Sequence, residues 1–247
     1  ACAAVLGLQG FDGLVIERTR GRKPFLKSPR PPADRTDLAN FNFNVSHEGD
    51  WVVLASEPIC VCGVDVAAPL DAKCTLNIRM DFREQLSKAE WADVEVEGSR
   101  PSTGPGHDPE YEAFQRRWSS KEAFVKARGD GLGFEPLGRA SFSFEPRATA
   151  PGDIYEATVV VDGVPAPRWR FVQHRLSAFH WVTVARGPTD DVVDANGTFA
   201  ATMLRPTQTF SRELWEAELR AESPGFDELS VADLVPADAV EKYEAII

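Results

Sequence analysis

An α+β fold of two α+β halves is what this sequence predicts, and three observations carry the prediction. Short β-type runs come before and after a helical middle, two long helical patterns flank a loop rich in Gly, Pro and Ser, and turn signals punctuate the runs. The order sheet, helix, linker, helix, sheet divides the chain at 108/109, giving a first half over 1–108, a second over 109–206 and an acidic tail over 207–247. No sequence repeat accompanies the two halves.

In order along the chain, Phe41 to Val45 and Trp51 to Ala55 read as strands joined by the polar turn Ser46-His47-Glu48-Gly49-Asp50. Val61 to Val66 is expected to complete a small sheet with them. Met80 to Val94 has apolar residues at helical spacing (Phe82, Leu86, Ala89, Trp91), and Ser87 followed by Glu90 reads as a capping box for a shorter helix inside it. Ser99 to Pro109 is the linker. Glu110 to Arg128 forms the second long helix with Phe114, Trp118 and Val125 inward, and Gly129, Gly131 and Gly133 terminate it. Strands follow at Ala140 to Phe144, Ile154 to Val161, Arg168 to Gln173 and Ala178 to Ala185, with Asp162-Gly163 as a hairpin signal. Beyond Thr207 the chain is acidic and partly helical, clearest at Glu213, Trp215 and Leu219.

With 247 residues and 43% hydrophobic content, the chain can build a substantial core. It has no apolar run near the roughly 20 residues that cross a bilayer, and no signal-peptide pattern, so a soluble cytosolic protein is expected; a monomer is expected as well. Cys2, Cys60, Cys62 and Cys74 match neither a disulfide framework nor zinc-site spacing and read as buried thiols. The net charge of −11 argues against non-specific nucleic-acid binding. Yet Arg18, Arg20, Arg22, Lys23, Lys27, Arg30 and Arg35 crowd one region. That patch suits a compact polyanion such as a nucleotide, or it is a solvated basic loop.

Glu122 and Lys126 stand at i and i+4 on one helix face in Trp118-Ser119-Ser120-Lys121-Glu122-Ala123-Phe124-Val125-Lys126. Gly63-Val64-Asp65 supplies a second carboxylate on a strand, on the face lined by Gly63 and Ala67, where a ligand would have room. Two acids for a divalent cation and a lysine for phosphate point to chemistry on a phosphorylated substrate. The plain alternative for each is an acid at a strand end and a surface helix ion pair. Glu48, beside His47, either supports a cationic imidazole facing a phosphate or binds the metal itself.

Arg18-Thr19 with Lys23-Pro24, Phe41-Asn42-Phe43-Asn44-Val45-Ser46-His47, Gly63-Val64-Asp65, Trp118 to Lys126 and Gly131-Leu132-Gly133-Phe134 together resemble the 4'-phosphopantetheinyl transferases, in the family's order from about residue 14 to 185. The likeness is to the large pseudo-twofold type, in the branch of the aminoadipate-semialdehyde dehydrogenase phosphopantetheinyl transferase. It implies two similar α+β halves related by a pseudo-twofold. It also implies transfer of the 4'-phosphopantetheine arm of coenzyme A to a serine of an acyl- or peptidyl-carrier domain, with release of adenosine 3',5'-bisphosphate. By this resemblance Asp65 and Glu122 bind Mg²⁺, Lys126 and Lys121 steady phosphate charge, and Ser46, His47, Arg18 and Lys23 hold the adenosine and 3'-phosphate end. Glu122 is the implied base for the carrier serine. Many relatives carry an acid two residues after the strand aspartate, where this chain has Ala67, so Glu48 or water is the expected third metal ligand. Only seventeen residues precede Arg18 and the first is Ala, from which an incomplete N-terminal half is expected. The rival functions are a non-catalytic coenzyme A or nucleotide-binding module derived from such an enzyme and a metal-dependent phosphodiesterase.

Overall fold

The computed structural model describes residues 1–8, 10–32, 34–38, 40–69, 77–150, 153–177, 179–194, 217–218, 221, 225–235 and 239–245. Cys74 and the expected tail helix at Glu213, Trp215 and Leu219 lie outside the described residues. The architecture is α+β, as the sequence predicts. A short helix α1 (Cys2–Leu6) precedes the hairpin β1 (Val15–Arg18) and β2 (Pro24–Ser28) and the hairpin β3 (Asn42–Glu48) and β4 (Trp51–Glu57). Then come β5 (Val61–Ala67), α2 (Ile78–Asp81), α3 (Lys88–Gly98), α4 (Pro109–Arg128), β6 (Ala140–Pro146), β7 (Ile154–Val161), β8 (Val164–Pro165), β9 (Arg170–Arg175) and β10 (Trp181–Gly187). Of the basic stretch, Arg18 and Lys27 lie in the β1–β2 hairpin, Arg20, Arg22 and Lys23 in its turn, and Arg30 and Arg35 in the loop that follows; the short, charged strands give no clear alternation to read.

One expectation is corrected here. Val61–Ala67 does not complete a sheet with β3 and β4 through its main chain. It pairs antiparallel with β10, from Val61 opposite Gly187 to Ala67 opposite Trp181, at one edge of the sheet ordered β5-β10-β9-β7-β6. Every residue of β5 is buried, so its apolar residues need cover on both faces, which a lone hairpin cannot supply. β5 therefore belongs by pairing to the sheet of the second half, although it precedes the expected division at 108/109. The helical pattern over Met80 to Val94 likewise resolves into α2 and α3. Ser87 caps α3 in a full capping box, its side chain accepting from Glu90 N and the Glu90 carboxylate accepting from Ser87 N.

α4 is the central element. Asp108 caps its N-terminus by accepting from Glu110 N and Tyr111 N, Pro109 sits in the first turn, and Gly129 ends it in the left-handed conformation at φ 77°. Between Ala113 and Ala127 every residue is buried except Trp118, Glu122 and Lys126, which recur every four residues and form one partly open stripe. A buried polar network sets this rotation. Gln173 Nε2 donates to Arg116 O at 2.7 Å and to Thr183 Oγ1 at 3.0 Å, while Ser119 Oγ meets Thr183 Oγ1 at 2.7 Å. Hydrogen bonds of this kind tolerate little rotation of the helix over β9 and β10.

Below α4, Phe124 meets Trp169 edge-on at 4.9 Å and Phe134 at 5.8 Å, in a core shared with Phe142 and Phe171. Ile78, Leu86, Val94 and Phe114 join α2 and α3 to the upper part of α4. On the opposite face of the large sheet, Val64, Val66 and Val182 are covered by Val53, by Trp51 and by Phe226 of the tail. Glu218 also docks there, its carboxylate 3.3 Å from Arg186 Nη2, with Glu57 on the same guanidinium.

Phe226 stands edge-on to His174 at 5.2 Å, and His174 Nε2 is buried with no hydrogen-bond partner among the described residues. Burial, and then the charge of Arg147, hold this imidazole below its ordinary 6.5. A base depressed in the folded state contributes stability that is present above about pH 6.5 and lost as the pH falls through its lower folded value. The thermal midpoint should therefore drop on acidification from that pH. In His174→Phe the drop should be smaller; identical pH profiles for both proteins would count against this account.

Candidate active site

Gly63 determines how close α4 comes to β5. A Cβ there would lie 2.1 Å from Ala123 O and 2.5 Å from Ala127 N, so the glycine admits the helix backbone. The room expected for a ligand on this face is taken by α4, which corrects that reading. Asp65 shares the face and is thereby set against the open stripe of the helix. Gly63→Ala should destabilise the fold by about 3 kcal/mol, at the upper end of overpacking costs, because the obstruction is main chain. Urea unfolding measures it, and a midpoint like wild type would mean that helix and strand can separate freely.

The carboxylate so placed is buried and held on two sides. Lys126 Nζ donates to Asp65 Oδ1 at 2.5 Å, Ser46 Oγ donates to the same oxygen at 2.9 Å, and Lys126 Nζ also reaches Ser46 Oγ at 3.1 Å. β3, β5 and α4 each contribute one member. Burial raises the Asp65 carboxyl above its usual range, against the lowering effect of Lys126 and Ser46. Glu122, one turn before Lys126, is also raised, first by burial and then by the charge of Asp65. Among the described residues it forms no hydrogen bond or ion pair, which leaves its carboxylate uncommitted. Glu48 ends β3 beside them; burial and the Asp65 charge raise it, and its Oε2 accepts from Ala68 N at 3.2 Å. The Ala68 carbonyl is held in turn by Gln115 Nε2 of α4, a contact with no signal in the sequence.

Lys121 does not join this group. Its ammonium is completely buried on the far side of α4, donating to Glu90 Oε2 at 2.8 Å, to Leu137 O at 3.2 Å and to Ala140 O. Glu90 also accepts from Phe142 N at 2.9 Å, so this ion pair ties α3, α4 and β6 together. Burial lowers the Lys121 ammonium while Glu90 raises it. The sequence carried a signal for this: Lys121 lies seven residues after Phe114 and four before Val125, both inward.

The residues expected at the nucleotide end are spread over two hairpins. Ser46 is buried between Asp65 and Lys126, while His47 is exposed at the end of β3. Lys23 reaches across to β5, its Nζ donating to Cys62 O at 2.7 Å, and burial lowers its ammonium to about 8. Arg18 is exposed, with Nη1 on Arg22 O at 2.9 Å. Two cations of the basic patch are already paired, Lys27 with Glu17 and Arg35 with Asp37.

No three His, Cys, Asp or Glu side chains close on a common point among the described residues. Mg²⁺ does not require such a cage, since it is commonly held by one or two carboxylates together with substrate phosphate oxygens and water. The donors here fit that pattern. Asp65 and Glu122 are hard oxygen ligands, and the Lys126 ammonium already occupies the position of a cation on Asp65.

Residues 61–185 match the model of the 4'-phosphopantetheinyl transferase superfamily, and residues 1–59 that of the 4'-phosphopantetheinyl transferase, N-terminal region. The chain belongs to the 4'-phosphopantetheinyl transferase superfamily. The boundary between the two matched regions falls just before β5, the strand that pairs with β10. Among similar proteins, the L-aminoadipate-semialdehyde dehydrogenase-phosphopantetheinyl transferase of Xenopus laevis is 33% identical over 183 residues, covering 73% of this chain and 56% of that protein. The Homo sapiens protein of the same name is 33% identical over 178 residues, covering 71% and 54%. The 4'-phosphopantetheinyl transferase Sfp of Bacillus subtilis is 32% identical over 99 residues, covering 39% and 37%. The chain therefore spans about half the length of the L-aminoadipate-semialdehyde dehydrogenase-phosphopantetheinyl transferases it matches.

Proposed function

We propose that the chain transfers the 4'-phosphopantetheine group of coenzyme A to a serine hydroxyl of an acyl- or peptidyl-carrier domain and releases adenosine 3',5'-bisphosphate. The observation that carries the proposal is the meeting of Asp65, Ser46 and Lys126 from three elements beside the uncommitted Glu122. Asp65 and Glu122 would hold Mg²⁺, with Glu48 the remaining carboxylate where Ala67 supplies none. Bound there, the ion would neutralise pyrophosphate charge and strengthen the departing phosphate as a leaving group.

The chain's own groups do the rest. Lys126 sits on a half-open helix face and can move from Asp65 to a phosphate oxygen within the reach of its own side chain. Glu122, raised above the ordinary carboxylate range, is a better proton acceptor for the carrier serine than a solvated glutamate. Arg18, Lys23 and His47 take the 3'-phosphate end, where compact positive charge complements a phosphomonoester. In the bond change, the serine oxygen attacks the phosphorus bearing the pantetheine arm, the pyrophosphate P–O bond breaks, and the serine proton passes to Glu122.

Mass spectrometry of an acyl-carrier domain incubated with the protein, coenzyme A and Mg²⁺ tests the reading. A phosphopantetheine adduct on serine is expected. Binding of coenzyme A with no adduct on any carrier would replace the enzyme by a binding module, and coenzyme A cleavage without a carrier would replace it by a phosphodiesterase.

A further inference from the structure

β3 and β5 run side by side in the same direction, yet among the described residues β3 pairs only with β4 and β5 only with β10. Side chains close the gap. Cys62 N donates to Asn42 Oδ1 at 3.1 Å, Val64 N to Asn44 Oδ1 at 2.9 Å, Val66 N to Ser46 Oγ at 3.4 Å and Ala68 N to Glu48 Oε2 at 3.2 Å. Each acceptor lies 20 residues before its donor, so the contacts form a four-rung ladder in a single register. The strand period of two explains the pattern: residues 42, 44, 46 and 48 share one face of β3, and alternate amides of β5 point away from β10. Asn42 reinforces its rung by donating from Nδ2 to Cys60 O at 2.6 Å and to Asn40 O at 2.9 Å. Asn42, Asn44 and Ser46 are all buried.

The lower rungs, Ser46 and Glu48, already belong to the acid and lysine group. The upper rungs, Asn42 and Asn44, touch none of it. We infer that the ladder is the device that sets the distance between the nucleotide-binding hairpins and the acids, and that Asn44 is a positioning residue for the transfer. Coenzyme A would span from Arg18, Lys23 and His47 to Asp65, Glu122 and Lys126, so both of its ends are satisfied only if β3 and β5 keep this register. A slip of one residue would move β3 by about 3.3 Å and turn its acceptors away from the β5 amides. The naming of coenzyme A rests on the function proposed above; the ladder does not.

Asn44→Ala removes the acceptor and Asn44→Asp keeps an oxygen at the same position. In the alanine variant the KM for coenzyme A in carrier labelling should rise roughly ten- to a hundredfold, the scale of small misplacements, with kcat little changed. The Val64 amide should exchange with solvent faster by NMR, and the aspartate variant should recover both properties. A folded alanine variant with an unaltered KM, or an aspartate variant no better than alanine, would overturn the positioning role. Should the alanine variant not fold, the wild-type protein decides. Slow exchange of the Cys62, Val64 and Val66 amides supports the ladder, and exchange at the rate of open loops refutes it. If the wild-type protein transfers nothing from coenzyme A, the proposed function fails while the exchange result still judges the ladder.

Discussion

Glu122→Gln should reduce carrier labelling by roughly two to four orders of magnitude, the range that a positioned acid or base contributes, and should leave the protein at least as stable as wild type. The two halves of this expectation come from the same facts. Glu122 is half-buried on the open stripe of α4, commits its carboxylate to no partner among the described residues, and is pushed up by burial and by Asp65. Its negative charge is therefore a cost to the fold, and a neutral amide of the same shape removes that cost. A residue kept for packing would behave in the opposite way. Labelling assays on a carrier domain alongside thermal melts read both quantities. Labelling near the wild-type rate, with Glu122→Gln intact, would remove Glu122 from its proposed role as base and ligand.

Lys121→Met should cost about 3 to 5 kcal/mol, the range for breaking a buried ion pair from one side. The methionine fills most of the space but leaves Glu90 and the carbonyls of Leu137 and Ala140 without their donor. Glu90 would retain the Ser87 and Phe142 amides, which soften but do not offset the loss. Because the pair joins α3, α4 and β6, the urea midpoint should fall with no intermediate confined to α3. The double change Lys121→Met with Glu90→Leu should recover much of the stability, since replacing both partners by apolar groups avoids the orphaned charge. A single variant within about 1 kcal/mol of wild type would show that water reaches Glu90 and that the pair is not sealed.

How much of this was legible in the sequence depended on range. Local signals held: the Ser87 and Glu90 box caps α3, Gly129 ends α4, and Asp162 and Gly163, both at positive φ, make the tight turn between β7 and β8. The i, i+4 spacing of Glu122 and Lys126 placed both on the open stripe. What failed was non-local. Nothing near Val61 announces that its partner strand begins at Trp181, and a short run that is apolar apart from Asp65 is equally consistent with a third strand of a meander. The misreading of Gly63 has the same origin, since a glycine that admits a ligand and one that admits a helix look alike until the helix is placed. Lys121 was misassigned by motif where periodicity alone would have turned it inward. The asparagine rungs were visible as alternating polar residues in β3, but their acceptor role depends on where β5 lies.

The antiparallel union of β5 with β10 also governs how the molecule can be made. On a ribosome, Val61–Ala67 emerges early as a ribbon that is apolar apart from Asp65, and it finds its main-chain partner only after residue 181 has been synthesised. Until then the aspartate at its centre has no settled neighbour across the strand, and the segment is a natural client for chaperones that shield sticky nascent chains. A message truncated before that point would yield a polypeptide containing every acid and lysine of the cleft, yet lacking the strand that completes β5.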